Sequence, residues 1–269
     1  YGLTTETELE LLRVYEQLRA LQPLRLVSTF LGAHVVPPEF DGNRAGYVRL
    51  VREEMLPRVA AEGLAEFCDV FVEEGAFSPD DARAILATAA ELGLRGKLHV
   101  DQLHDGGGGE LAAETGALSA DHLEHLSEDG VEAMARAGVV AVALPFASFF
   151  LHQPPMPGRR LIEAGVPLAI ATDFNPGTAP SYHLPLAMLL ACVRQGLSAG
   201  EAVKGATRFA AQALGREDEV GSLEPGYCAD FALVDASHEQ DWLFRFTANA
   251  VIETVVGGAT VWSRDGSAG

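Results

Sequence analysis

The chain has 269 residues, 48% of them hydrophobic and 21% charged, which is enough apolar material for one large core and too much for a disordered chain. A formal net charge of −19 argues against a nucleic-acid or anionic-membrane partner, since either favours basic patches. The three cysteines, Cys68, Cys192 and Cys228, are widely spaced and odd in number, so they read as reduced thiols of a cytoplasmic protein, not as a disulfide framework.

The N-terminus, Tyr1-Gly2-Leu3-Thr4-Thr5-Glu6, has neither a basic nor an apolar leader region and lacks a Met, so it is expected to continue a longer chain. Thr4 or Thr5 caps a first helix with Glu6 and Glu8 in its first turn. Leu9, Leu12, Val14, Leu18 and Leu21 mark its apolar stripe, and Pro23 ends it. A strand is expected over Leu24 to Leu31, a helix over Asn43 to Ala61, and a second strand over Cys68 to Val72. Ser78-Pro79-Asp80-Asp81 is a helix start, with Ser as N-cap and Pro at the first helical position, and Gly93 closes that helix.

Further strands are expected over Gly96 to Asp101, Ala117 to Leu123, Val139 to Pro145 and Pro167 to Thr172, each followed by helical sequence. The longest strongly apolar run, Val139 to Leu151, contains Pro145 and is too short to span a bilayer. Six strands alternating with helices imply a parallel sheet of the (β/α) barrel kind, whose closed form has eight strands in roughly 250 residues. After Asp173 the pattern changes: helices over Leu184 to Arg194 and Ala199 to Leu214, then β runs at Phe231 to Val234, Val251 to Val256 and Thr260 to Trp262. The barrel part is therefore placed at residues 1–219 and a small all-β part at 220–269.

The strand ends carry the chemistry, as they do in barrels of this kind. His99 ends one strand with Asp101 and Gln102 behind it, and alternation puts His99 and Asp101 on one face. Asp173 follows Leu168-Ala169-Ile170-Ala171-Thr172, where a carboxylate is costly unless paired or metal-bound. A His and an Asp at two strand ends suggest a mononuclear catalytic metal site, although three protein ligands are usual and no His-x-His pair occurs. His122 ends the next strand, placed to polarise a carbonyl or move a proton. His34 ends an earlier strand as a candidate substrate contact, and His104 and His152 lie in loops bordering the expected pocket. Gly106 to Gly109 has no following Lys-Ser/Thr, so it reads as a flexible loop, not a phosphate-binding loop. Asn175-Pro176-Gly177-Thr178 is either a plain turn or a set of polar groups for a substrate.

Four stretches together resemble the imidazolonepropionase family of the amidohydrolase superfamily: Ser28-Thr29-Phe30-Leu31-Gly32-Ala33-His34, His99-Val100-Asp101-Gln102, Ser119-Ala120-Asp121-His122-Leu123 and Thr172-Asp173-Phe174-Asn175-Pro176-Gly177. The resemblance runs in order from Tyr1 to about Val234. It implies a (β/α)8 TIM-type barrel, a small β-sandwich built from both chain ends, a homodimer, and one Zn or Fe ion per chain. It implies hydrolysis of 4-imidazolone-5-propanoate to N-formimino-L-glutamate in histidine degradation. His99 and Asp173 then match metal ligands, Asp173 also taking a proton, and His122 matches the group that polarises the reacting carbonyl. Gln102 matches a residue on the substrate ring, Tyr1 and His34 match substrate contacts, and Asn175, Gly177 and Thr178 match the loop at the substrate's polar end. By the same correspondence the first two barrel strands, with the family's His-x-His metal pair, and a substrate-binding arginine fall outside this chain.

Three other readings compete. Another amidohydrolase, a deaminase of nucleobase-like rings or a cyclic-amide hydrolase, shares His99, His122 and Asp173 but gives no reason for His34 and the Asn-Pro-Gly-Thr loop together. An inactive fragment serving as a binding module would follow from the missing metal pair. A barrel for sugar phosphates expects a phosphate site after its last two strands, and Pro145-Phe146-Ala147 offers none.

Overall fold

The structure, a computed structural model, describes residues 2–246 and 249–266. It divides into two compact units, residues 1–139 and 140–269. In the first, four strands run parallel in chain order: β1 (Thr29–Ala33), β2 (Phe67–Val72), β3 (Arg95–Val100) and β4 (Ser119–His122). Its helices are α1 (Thr5–Arg19), α2 (Arg44–Leu50), α3 (Leu56–Glu62), α4 (Pro79–Glu91), α5 (Gly108–Thr115) and α6 (Glu128–Ala137). A π-helical turn, Val51–Met55, joins α2 to α3, so the stretch expected as one helix is continuous but locally widened.

Strand alternation sorts β2 and β3 into two faces. Cys68, Val70, Leu98 and Val100 are fully buried on the face that packs against helices α4 and α5. The other face is mostly polar and is described with the site. Helix α4 starts as expected: Ser78 and Asp81 form a reciprocal capping box with Pro79 at the first position. On α1 the expected stripe is corrected. Thr4 is the cap, but Thr5, Glu8, Leu9 and Leu12 form the buried face, while Val14, Leu18 and Leu21 stay exposed. Spacing of three and four residues links the buried set, and Val14 falls off that line. Glu8 is tolerated inside because its carboxylate accepts from the Leu3 N–H at 2.8 Å.

The glycine run after β3 is also corrected: it is packed, not loose. Helix α5 begins at Gly108, and a Cβ there would lie 2.3 Å from the Val100 side chain. At Gly109 a Cβ would lie 2.8 Å from the backbone of Gly130, at the start of α6. Only glycine allows α5 to approach β3 and α6 this closely.

The second unit holds two parallel strands, β5 (Val140–Ala143) and β6 (Leu168–Ile170). Around them lie α7 (Pro145–Phe150), α8 (Gly158–Glu163), α9 (Leu184–Gln195), α10 (Ala199–Ala206) and α11 (Arg208–Ala213). Val140, Val142, Leu144, Ala147, Ala169 and Ala213 form its core. The helix expected over 199–214 is broken at Thr207, whose φ of −126° and ψ of −89° leave the helical region. The unit ends with α12 (Glu239–Leu243) and an antiparallel sheet of β7 (Phe231–Val234), β8 (Val251–Val256) and β9 (Ala259–Ser263). Gly257 and Gly258, at φ 59° and 81°, make the two-residue hairpin between β8 and β9. Among the described residues, no helix is long and apolar enough to cross a membrane.

Candidate active site

In the first unit the register aligns Asp69 with Lys97 and Phe71 with His99, and then Lys97 with Ser119 and His99 with Asp121. Register partners on parallel strands project to the same side, so one face of β2, β3 and β4 carries an anion, a cation, an imidazole and a second anion. Asp69 Oδ2 lies 2.9 Å from His99 Nδ1. One oxygen from each of Asp69 and Asp121 and one His99 nitrogen all fall within 4.8 Å of one another. Lys97 Nζ bonds Ser119 Oγ at 3.3 Å, and Ser119 Oγ bonds Asp121 Oδ1 at 3.1 Å. One wall of this cluster is aromatic: Phe71 meets His99 edge-on, with ring centres 6.4 Å apart, and stacks on His34 at 5.2 Å.

His122 joins the group, its ring centre 5.3 Å from that of His99. Asp121 and His122 are consecutive and would face opposite ways in a regular strand. At His122, however, φ is 80°, and at Leu123 it is 64°, so the chain turns back on itself at the strand end. Asp101 and Asp173, both at φ 52°, sit at the ends of β3 and β6. Left-handed non-glycine residues concentrated at strand ends are a mark of functional positions.

Burial, reinforced by His99 and His122 nearby, lowers the His34 pKa to about 4, so its ring is neutral at pH 7. Burial pushes the Asp121 carboxyl up, against the pull of His99 and Lys97. Glu124 is buried with Oε2 3.7 Å from His122 Nδ1, and burial raises its pKa to about 8. The folded chain then keeps a proton that the unfolded chain releases near 4.5, so stability from this group is present at low pH and lost as pH rises through about 8. Glu124→Gln is expected to remove that slope, with Tm of the variant gaining on the wild type between pH 5 and pH 8. Parallel Tm curves would mean that Glu124 is ionised throughout.

Gln102 is held by a residue that sequence reasoning missed. Buried Glu73 accepts from the Gln102 N–H at 2.7 Å and the Leu103 N–H at 2.8 Å, and its other oxygen lies 2.5 Å from His104 Nδ1. Asp101 does not share the His99 face as alternation predicts. Strand β3 stops at Val100, and the Asp101 carboxylate turns to accept from Gly106 and Gly108 at 2.9 Å and from Gly109 at 3.2 Å. The glycine N–H groups thus cradle an anion after all, one belonging to the chain itself.

The expected site residues of the second unit form a closed turn. Asn175 Nδ2 donates to the Asp173 carbonyl at 2.7 Å and to Thr178 Oγ1 at 3.1 Å, and its Oδ1 accepts from Gly177 and Thr178 N–H, each at 2.8 Å. Asn175 therefore shapes the loop that follows Asp173. Tyr1 lies outside the described residues. The structure brings His34, His99 and His122 together in the first unit and Asp173, Asn175, Gly177 and Thr178 in the second. The imidazole of His99 between the carboxylates of Asp69 and Asp121 is a donor set that fits a divalent metal ion.

The amidohydrolase family model matches residues 30–261. An imidazolonepropionase from Geobacillus thermodenitrificans is 47% identical over 261 residues, covering 97% of this chain and 62% of that protein. One from Caldanaerobacter subterraneus is 49% identical over 251 residues, 93% of this chain and 60% of that protein. The chain thus spans a little under two thirds of the curated relatives it matches. Among solved structures, a 5-methylcytosine deaminase from Klebsiella pneumoniae superposes with TM-score 0.76 at 16% identity, covering 96% of this chain and 67% of that one. A guanine deaminase from C. acetobutylicum gives TM-score 0.74 at 15% identity, covering 97% and 70%. At that identity the two deaminases speak to the fold alone, and they share it.

Proposed function

Since the chain belongs to the amidohydrolase family, we propose that its protein opens the cyclic amide of 4-imidazolone-5-propanoate by hydrolysis, giving N-formimino-L-glutamate in histidine degradation. The observation that carries this reading is the gathering of His34, His99 and His122 at the ends of β1, β3 and β4, in a chain 47% identical to an imidazolonepropionase.

His99 and Asp173 would hold one Zn or Fe ion. When bound, such an ion supplies Lewis acidity, bringing the ionisation of a water toward neutral pH and polarising a carbonyl oxygen. The chain's own groups do the rest. Asp173 accepts the proton of the attacking water. The water oxygen bonds to the ring carbonyl carbon, and His122 stabilises the charge that grows on the carbonyl oxygen. Asp173 returns the proton to the ring nitrogen as the C–N bond breaks, leaving a formimino nitrogen and a carboxylic acid that loses its remaining proton to solvent. Gln102, on a loop held by Glu73, contacts the ring, and neutral His34 contacts the substrate beside it, with Tyr1. Asn175, Gly177 and Thr178 shape the loop at the propanoate end. The same reading makes the protein a cytoplasmic homodimer with a small-molecule substrate, its residues 220–269 part of a small β domain apart from the barrel.

The test is turnover by the full-length, metal-replete protein, read as formation of N-formimino-glutamate. No turnover, or faster deamination of a nucleobase-like ring, would overturn the reading. Within it, His34→Ala is expected to raise KM about tenfold with kcat little changed, since a binding contact equal in ground and transition states affects KM. An unchanged KM would make His34 a packing residue for Phe71.

A further inference from the structure

Asp69 has no part in the reading above. It is 3% exposed, on a strand otherwise apolar on its helix side, and it lies 2.9 Å from His99. We propose that Asp69 is the positioning residue of His99: it accepts the Nδ1–H, fixes the ring in one tautomer, and leaves the Nε2 lone pair as the only metal-binding atom. This rests on the reading of His99 as a metal ligand.

Three observations support the role. A neutral imidazole has one N–H and one lone pair, so a carboxylate at Nδ1 decides which nitrogen remains for a metal. Both residues stand on regular strands, β2 and β3, paired in register over six positions, so neither backbone can drift. Phe71, at the register level of His99, meets its ring edge-on and restricts the ring's rotation from the side. A carboxylate on the second nitrogen is the usual support of a metal-bound histidine.

Service as a ligand is the less favoured role for Asp69. Its register partner is Lys97, whose ammonium reaches Ser119 at 3.3 Å, and Ser119 in turn reaches Asp121. Asp69 shares its level with that ammonium, whereas His99 shares its level with Asp121. Asp69 Oδ2 is thus turned to the imidazole, an arrangement that orients His99.

The experiment uses the full-length protein with Asp69→Asn, Asp69→Ala and His99→Ala, and reads Zn2+ affinity by competition with a chelator. Thermal unfolding of the metal-free forms is followed alongside. Asp69→Ala is expected to weaken Zn2+ binding about 10- to 100-fold. Asp69→Asn keeps an acceptor oxygen but loses the charge, so it should recover part of that loss. Unchanged Zn2+ affinity in both Asp69 variants, with affinity lost in His99→Ala, would overturn the role of Asp69 and leave the metal reading standing. Unchanged affinity in His99→Ala would overturn both. Equal losses in the two Asp69 variants, accompanied by collapse of the metal-free unfolding transition, would show a purely structural role and overturn the proposal.

Discussion

Asp173→Asn in the full-length protein is expected to cut kcat by about 10^3- to 10^4-fold while leaving the fold intact. That is the upper part of the roughly 10^2- to 10^4-fold that loss of a general acid–base group costs. Asparagine keeps the size of the side chain but takes up no proton at neutral pH, so the attacking water loses its acceptor and the leaving nitrogen its donor. The choice of asparagine matters for the backbone too. Asp173 has φ 52°, a conformation that Asn and Asp tolerate better than other residues with a Cβ. The Asn175 side chain bonds the Asp173 carbonyl, which the substitution does not touch. Circular dichroism and Tm should therefore match the wild type, and metal content should be measured on the same sample. Near-normal turnover would remove Asp173 from proton transfer. Lost turnover with lost metal would place its contribution in binding the ion.

The parts of this molecule that could be read from sequence are those where one local rule acts alone. Ser78-Pro79 announces a helix start because the cap and the proline both act within one turn. Strands β5 and β6 show as apolar runs because both faces of each are covered. Where two rules compete, the sequence misleads. Apolarity alone draws the α1 stripe on through Val14, Leu18 and Leu21, yet tertiary packing follows the line through Glu8, an acid whose partner lies five residues earlier. Thr207 breaks an otherwise unbroken helical pattern. The turn at His122 depends on a φ that no periodicity encodes.

Asp69 and Glu73 were missed for a different reason. Each looks like an incidental acid in or just after Cys68-Asp69-Val70-Phe71-Val72, and their partners lie 30 and 29 residues away, at His99 and Gln102. One signal was available. An acid at the centre of a strand buried on both faces needs a partner, and Lys97 and Asp121 are charges set at similar depth in the neighbouring strands. Register, once known, joins the three.

That buried charge set makes Lys97→Met the largest expected change in stability. Lys97 is 7% exposed, its ammonium 4.8 Å from the centre of the Phe67 ring and within hydrogen-bond reach of Ser119. Its removal leaves Asp69 and Asp121 facing each other across His99 without their cation. Removing one partner of a buried ionic group costs about 3–5 kcal/mol, chiefly because the remaining charge is stranded. For a chain of this size that is a fall in Tm on the order of 10 °C. Burial already pushes Asp121 up and Lys97 holds it down, so in the variant the Asp121 carboxyl shifts further up. Acids raised in the folded state lose stability as pH rises, so the deficit of Lys97→Met should be greater at pH 8 than at pH 5. Adding Asp69→Asn removes one stranded charge and should recover about 1–3 kcal/mol, a coupling that independent sites would not show. Thermal unfolding of wild type, the two single variants and the double variant at both pH values measures each term. A Tm within about 2 °C of wild type, a small fraction of the expected fall, would mean that Lys97 neutralises no buried charge.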